Sequence, residues 1–211
     1  MRTDFDPDTV GARRFYGLLT SVIVPRPIAW VVTRSAEGVD NLAPHSFFTV
    51  ASTDPPVVQF TSVGRKDSLT NVEATGEFTI SVTPEELFEQ VNATSTDFPP
   101  DQDEAEHTGV VLEDSDVVGV KRVAASPVTL ECRLHATTSF GDSTVVFGRV
   151  VHVSAHADAV RDGRPRIEGL RPLARLGGNE WSTIGELKEI RRIPYSDWQA
   201  DPSIGQALRG D

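Results

Sequence analysis

The chain has 211 residues and carries 31 Asp and Glu against 20 Lys and Arg, a formal net charge of −11. Nucleic-acid binders neutralise phosphates with clustered Lys and Arg, so this balance excludes a nucleic-acid partner for the surface as a whole, and an anionic membrane surface by the same sign argument. Hydrophobic residues at 38% and charged residues at 24% are ordinary for a folded chain, and the length suits one domain with short extensions.

Residues 1–14 read as an N-terminal extension, 15–182 as the folded domain and 183–211 as a C-terminal tail. The first eight residues, Met1 to Asp8, are acidic and have no apolar stretch of the signal-peptide kind. No apolar run reaches the roughly 18 residues of a spanning helix. With 26 Val, 19 Thr and 8 Ile, a quarter of the chain is β-branched, which suits pleated strands better than helices. Ile28–Thr33 reads as a first strand and Ser35–Asp40 as a turn, with Gly38 free to take positive φ. His45–Ala51 is a second strand, stopped by Asp54-Pro55-Pro56, and Val57–Ser62 a third; this is the pattern of an antiparallel meander. Asp67–Thr75 opens on residues that favour a helix N-terminus and closes at Gly76. Phe78–Val82 is a strand. Thr83-Pro84-Glu85-Glu86 has a cap, a proline at the first position and acids facing the positive helix end, so a helix is expected from there to Asn92.

Residues 97–116 hold eight Asp or Glu, no Lys or Arg, and Pro99-Pro100; they read as a solvated surface excursion. Val128–Thr138 and Val145–Val153 are two long strands joined by a hairpin at Gly141-Asp142. The single cysteine, Cys132, lies in the first of them. It rules out an internal disulfide or a multi-cysteine metal site and fits a reducing, cytoplasmic setting. From Leu170 onward loop and short helix alternate, and 198–211 are weakly patterned, with disorder expected at the end. The picture is a single mainly β barrel with a few short helices, in which closure removes exposed edges.

No dinucleotide fingerprint, phosphate loop or nucleophile elbow is present. The five histidines lack metal-ligand spacing, since His152 and His156 lie four apart on a strand pattern; no metal is expected. The strongest local signal is Thr61–Asn71. There a strand ends, Gly64 permits a tight turn, Arg65-Lys66 bring two cations, and Asp67-Ser68 open a helix. Backbone N–H groups at a helix start, with hydroxyls and cations nearby, favour phosphate; an ordinary solvated turn is the alternative. Asn41 to Phe48 sets Asn41, His45 and Ser46 around Pro44 ahead of two aromatics. It reads either as the rim of a flat heterocycle or as a strand start. Arg26, held extended between Pro25 and Pro27, is a fixed cation for an anionic group or a surface charge.

Taken in order, these segments resemble the flavin reductase-like, FMN-binding split-barrel family. The residues that carry the resemblance are Arg26 to Val31, Asn41 to Phe48, Pro55-Pro56, Lys66 to Asn71, Gly76-Glu77-Phe78, Ser126 to Cys132, Gly148-Arg149-Val150 and Leu176-Gly177-Gly178. They run from about Phe15 to Trp181. The resemblance implies a homodimer of Greek-key split barrels with FMN near the subunit interface, and it favours the phosphate reading of residues 61–68. Asn41, Leu42, Ala43, Pro44, His45 and Ser46 would line the isoalloxazine. Ser62, Arg65, Lys66 and Ser68 would hold the phosphate, and Asn71 would support that loop or the ribityl chain. Arg26 and Thr33 would sit close to the cofactor, and Gly177-Gly178 would admit a partner's backbone. His45 is the candidate for stabilising reduced flavin; strand-entrance packing is its alternative.

One stretch departs from the pattern. Many flavin reductases of this kind have Gly-Asp-His at the hairpin, where this chain has Gly141-Asp142-Ser143. The missing histidine is the one they place near flavin and nicotinamide; FMN binding rests on other residues. The implied activity moves electrons from NADH or NADPH through flavin to a second acceptor, such as a partner monooxygenase. An FMN-binding electron carrier without nicotinamide turnover, and a non-catalytic barrel that uses the cleft otherwise, are the other readings.

Overall fold

The structure is a computed structural model that describes residues 1–201 and 203; the disorder expected at the end of the tail falls on 202 and 204–211, outside the described residues. The main sheet has seven antiparallel strands. They are β1 (Ala29–Arg34), β2 (Asp40–His45), β3 (Phe48–Ser52), β4 (Val57–Val63), β5 (Glu77–Val82), β6 (Val128–Phe140) and β7 (Ser143–Ala155). Their spatial order is β2-β1-β5-β6-β7-β4-β3. The two edge strands, β2 and β3, are therefore sequence neighbours joined by Ser46-Phe47. The sheet curls until its edges return to that link, where the Phe47 carbonyl accepts from the Thr61 amide at 3.0 Å. The result is the expected mainly β split barrel. No helix among the described residues is long and apolar enough to cross a membrane.

The helices that matter for the site are α1 (Ala12–Val22), α2 (Asp67–Thr75), α3 (Phe88–Ala93) and α4 (Glu104–Thr108). Strand β1 shows how they are held. Its side chains alternate with period two, and both faces are buried. Ala29 and Val31 enter the barrel interior with Phe60, Phe78, Ile80, Cys132 and Val146, beneath Leu69 and Val72 of α2. Trp30 and Val32 face the opposite way, into a second core with Leu42, Val91 of α3 and Ala105 of α4. The Trp30 indole donates to Thr94 Oγ1 at 2.9 Å, fixing the end of α3 to the sheet. Cys132 is fully buried, and burial, followed by the nearby Glu131 charge, pushes its thiol up to about 12. It is an inert core residue.

Four expectations need correction. The strand expected over His45–Ala51 begins later, as β3, and an additional strand precedes it: β2 is paired along its whole length with β1, from Asp40 opposite Arg34 to His45 opposite Ala29. Pro44 hides it from a propensity reading but is tolerated because β2 is an edge. The helix expected from Thr83 begins later, as a 3₁₀ turn over Glu85–Leu87 followed by α3, and Thr83 Oγ1 caps nothing. Two helices were not anticipated near the N-terminus: a short one over Pro7–Val10 inside the extension, and α1, which starts at Ala12 and runs on to Val22 in the domain. Most important, residues 97–116 are not simply solvated. Glu104, Ala105 and Val110 are buried, and Glu104 Oε2 accepts from the Leu42 amide at 2.9 Å, bonding the acidic segment to β2.

Gly148 of β7 faces the barrel interior, where an added Cβ would lie 2.2 Å from Phe78 Cζ. Phe78 is fully buried, so it has no room to retreat. We expect Gly148→Ala to lower the urea unfolding free energy by about 1–3 kcal/mol through overpacking, while Gly17→Ala on α1, where nothing lies within 4 Å, does not destabilise.

Candidate functional site

A cleft opens where the two sheet edges meet. Its walls come from β2 and the link after it (Asn41, Ala43, Pro44, His45, Ser46, Phe47), the end of β4 (Thr61, Val63) and the start of α2 (Lys66, Asp67, Ser68). Thr94–Phe98 and Glu104 close one side, and Tyr16 of α1 reaches in from another. The structure thus brings together two segments that are far apart in sequence, the one read as a heterocycle rim and the one read as a phosphate turn. Leu42 takes no part: it alternates to the opposite face of β2 and is buried in the second core.

Behind the cleft a polar network joins β1, β2 and α2. Asn41 Nδ2 donates to Ser68 Oγ (3.2 Å) and to Thr33 Oγ1 (3.3 Å), and Asn71 Nδ2 also donates to Thr33 Oγ1 (3.1 Å). Thr33, Asn41, Ser68 and Asn71 are all buried, so these bonds satisfy groups that would otherwise be costly. His45 completes the chain. Its Nδ1 lies 3.3 Å from the Thr61 carbonyl, and its Nε2 lies 3.1 Å from Ser68 Oγ. A carbonyl only accepts, so Nδ1 carries the proton and Nε2 accepts from the Ser68 hydroxyl. That tautomer belongs to a neutral ring. Desolvation, with a smaller contribution from the Lys66 charge, lowers its pKa to about 4 against the opposing hydrogen bond to Thr61. With both nitrogens committed, His45 orders the cleft wall and has no free donor for a ligand.

The turn that follows β4 is built as expected. Ser62 Oγ donates to the Gly64 carbonyl at 2.8 Å, Gly64 takes φ 75°, and the Gly64 amide donates to the Asp142 carbonyl at 2.8 Å. The β6–β7 hairpin tip, including Ser143, therefore lies beside the turn; Ser143 is paired opposite Val63. Helix α2 starts after Lys66 with no side-chain cap, leaving its first amides available to an anion. Both cations of the turn are exposed and engaged: Arg65 pairs with Glu73 at 2.8 Å and Lys66 with Asp97 at 2.5 Å.

Arg26 is placed differently. Its side chain is buried. The guanidinium donates to the Thr20 carbonyl, to the Leu176 carbonyl at 2.7 Å and to Ser46 Oγ at 3.4 Å. It fastens the end of α1 and the 176–180 turn to the cleft rim. Gly177 is needed for the same junction, since a Cβ there would lie 2.6 Å from Ser21 Oγ. Burial, then the neighbouring Arg175 charge, lowers the Arg26 pKa.

Glu104, Tyr16 and the 94–98 segment are cleft residues that the sequence reading did not find. Glu104 is one acid among eight in its stretch, and nothing local distinguishes the buried one. Desolvation raises its pKa against the opposing backbone hydrogen bonds, with smaller upward pushes from Asp103 and Asp67. Away from the cleft, Asp116, Glu131 and His152 have ligand atoms within 4.8 Å of one another. That cluster is already neutralised: Arg122 donates to Asp116 at 2.5 Å, and Glu131 accepts the amides of Asp116, Val117 and Val118.

The sequence profile of the flavin reductase like domain matches residues 21–173. The chain belongs to the flavin reductase-like family. An uncharacterised protein of Halalkalibacterium halodurans is 37% identical over 203 residues, covering 90% of this chain and 97% of its own length. One from Deinococcus radiodurans is 37% identical over 210 residues, covering 93% and 92%. Among solved structures, nitrilotriacetate monooxygenase component B from Bacillus cereus superposes with a TM-score of 0.85 at 30% identity, over 90% of this chain and 99% of that one. The 2-nitrobenzoate 2-nitroreductase of Pseudomonas fluorescens gives 0.85 at 28%, over 91% and 96%. Flavoredoxin of Desulfovibrio vulgaris, at 19% identity and TM-score 0.77 over 90% and 97%, shares the fold.

The His45 arrangement has a pH signature. The folded pKa, lowered to about 4 from 6.5, means that the unfolded chain binds the extra proton first as pH falls. Its contribution is therefore present above about 6.5 and is lost between there and 4. Between pH 7 and 5.5, still above the pI near 4.9, the expected loss is about 1 kcal/mol. Urea unfolding at both pH values should show that loss in the native chain and a smaller one in His45→Asn; equal losses would remove the buried neutral histidine from the account.

Proposed function

We propose that the protein is an FMN-binding oxidoreductase of the flavin reductase type. The observation that carries the reading is the uncapped start of α2, with Lys66 in the lining and Arg65 beside it, at one end of a cleft whose other wall is mixed apolar and polar. The residues fit FMN chemically. The α2 amides, with Arg65, Lys66 and the nearby Ser62, would hold the phosphate. Ala43, Pro44 and Ser46, with Phe47 and Tyr16, would flank the isoalloxazine. Asn41, Thr33, Asn71 and Ser68 would act from behind, holding the wall rigid rather than touching the ring. Flavin supplies the redox chemistry when bound, taking electrons from NADH or NADPH and passing them to a second acceptor.

The cleft measures about 260 Å³, just under the 300–1,000 Å³ usual for ligand sites. This supports a homodimer in which the second subunit completes the pocket. The Bacillus cereus relative's description as a monooxygenase component supports a partner monooxygenase as acceptor. The Pseudomonas fluorescens protein's description as a nitroreductase supports direct reduction of a small substrate. A cytoplasmic setting fits the lone buried thiol. The second reading is an electron carrier without nicotinamide turnover. It is favoured by Ser143, whose hydroxyl bonds Asp142 at 2.8 Å, where many flavin reductases have histidine.

Two experiments test these readings. The purified protein, mixed with FMN and kept anaerobic, should lose its flavin absorbance within minutes of adding NADH or NADPH; persistence of the oxidised spectrum assigns the carrier reading instead. Lys66→Ala should weaken FMN binding about tenfold, as expected for a charge-assisted phosphate contact. Asp97→Asn, which frees Lys66, should tighten it. Unchanged affinity in both variants, measured by flavin fluorescence quenching, removes the phosphate assignment.

A further inference from the structure

A second pocket of about 220 Å³ adjoins the cleft. It shares Pro44, Ser46 and Ser95 with the cleft and is otherwise walled by Ile28, Asn92, Arg175 and Trp181. Arg175 sits opposite Arg26 across an antiparallel strand pair, Arg26–Pro27 with Ala174–Arg175. Like charges in that relation repel. Neither guanidinium is paired with a carboxylate among the described residues. Arg26 spends its donors on backbone carbonyls and Ser46. Arg175 gives Nη2 to the Gly178 carbonyl at 2.8 Å and lies 4.4 Å over the Trp181 ring. In a chain with net charge −11, this is an uncompensated cationic locus. The Arg175 fork is held in place by the indole, so little rotamer freedom is lost when it binds an oxyanion. The walls on the far side, Ile28 and Pro44, are apolar.

We propose that this pocket binds a small aromatic carboxylate, its anionic group on the Arg175 fork and its ring against Ile28 and Pro44, next to the cleft that Ser46 borders. As a substrate site it rests on the flavin reading of the adjoining cleft; as a binding site it stands in the flavin-free protein as well. The fork matches a planar carboxylate in two parallel hydrogen bonds.

Sodium benzoate titrated into the full chain, without and with FMN, tests this by ligand-observed NMR, with benzamide and inorganic phosphate as parallel probes. Benzoate should bind saturably, and benzamide should not. Arg175→Gln should weaken benzoate about tenfold or more. Asn92→Asp, an isosteric change on an exposed residue that adds negative charge at the rim, should weaken it severalfold. FMN affinity should stay unchanged in both variants. Benzamide binding as tightly as benzoate, phosphate displacing benzoate at equal concentration, or unaltered benzoate binding in Asn92→Asp overturns the proposal. A protein that takes benzoate but no FMN supports the pocket and overturns the flavin reading. One that takes FMN but no benzoate overturns the pocket alone.

Discussion

Everything at the cleft depends on how the barrel handles its split. Strand β2 is hydrogen-bonded to β1 on one side and has no strand on the other. An open edge of this kind invites pairing with another chain. Here the gap is closed by side chains rather than by a ladder: Asn41 reaches Ser68 at the start of α2, Ser68 reaches His45, and His45 reaches the Thr61 carbonyl of β4. The bridge holds β2 and the end of β4 at a fixed separation without filling the space between them. What remains between them is a walled slot, and a closed backbone ladder would have abolished it.

The cost of such a bridge is that every member must be satisfied, because a half-paired polar network in a dry interior is worse than an apolar one. That explains the residue types. Two carboxamides, two hydroxyls and a neutral imidazole bond one another and a single carbonyl, with no ionised group inside the chain. A protonated His45 would lose its acceptor at Nε2 and set a donor against the Ser68 hydroxyl's proton. The depressed pKa and the fixed tautomer are therefore two aspects of one packing arrangement.

Much of the barrel was legible because its strands obey a period of two and its turns carry glycine or proline. β1, β4, β5, the β6–β7 hairpin and α2 came out within one or two residues. β2 was missed because strand interiors disfavour a proline such as Pro44, and only knowledge of the strand order shows that it occupies an edge. The cleft was half legible. Asn41–Ser46 and Lys66–Ser68 carry local signals of their own, but Tyr16, Glu104 and Thr94–Phe98 join them through tertiary packing that no local window contains. Arg26 shows the same limit in reverse: its flanking prolines correctly mark it as fixed, yet what fixes it is a set of carbonyls from α1 and the 176–180 turn, more than a hundred positions away in the second case.

The charge of the chain takes on a different meaning once its acids are placed. Residues 97–116 contribute −8, and their carboxylates are working parts. Glu104 anchors β2, Asp103 caps α4 through the Ala105 amide at 2.8 Å, Asp116 engages Arg122, and Asp97 occupies Lys66 at the mouth of the cleft. An anion entering at α2 must displace Asp97, a monoanion on an exposed and screened pair that contributes little on its own. A phosphate monoester carries about −1.5 to −2 charges at pH 7 with three acceptor oxygens, and it gains the free helix amides that Asp97 does not reach in this arrangement. A monovalent ion gains neither enough charge nor enough hydrogen bonds. If the cationic turn holds the FMN phosphate as proposed, the acidic segment would act as a threshold on it, favouring a doubly charged phosphate over simple monoanions.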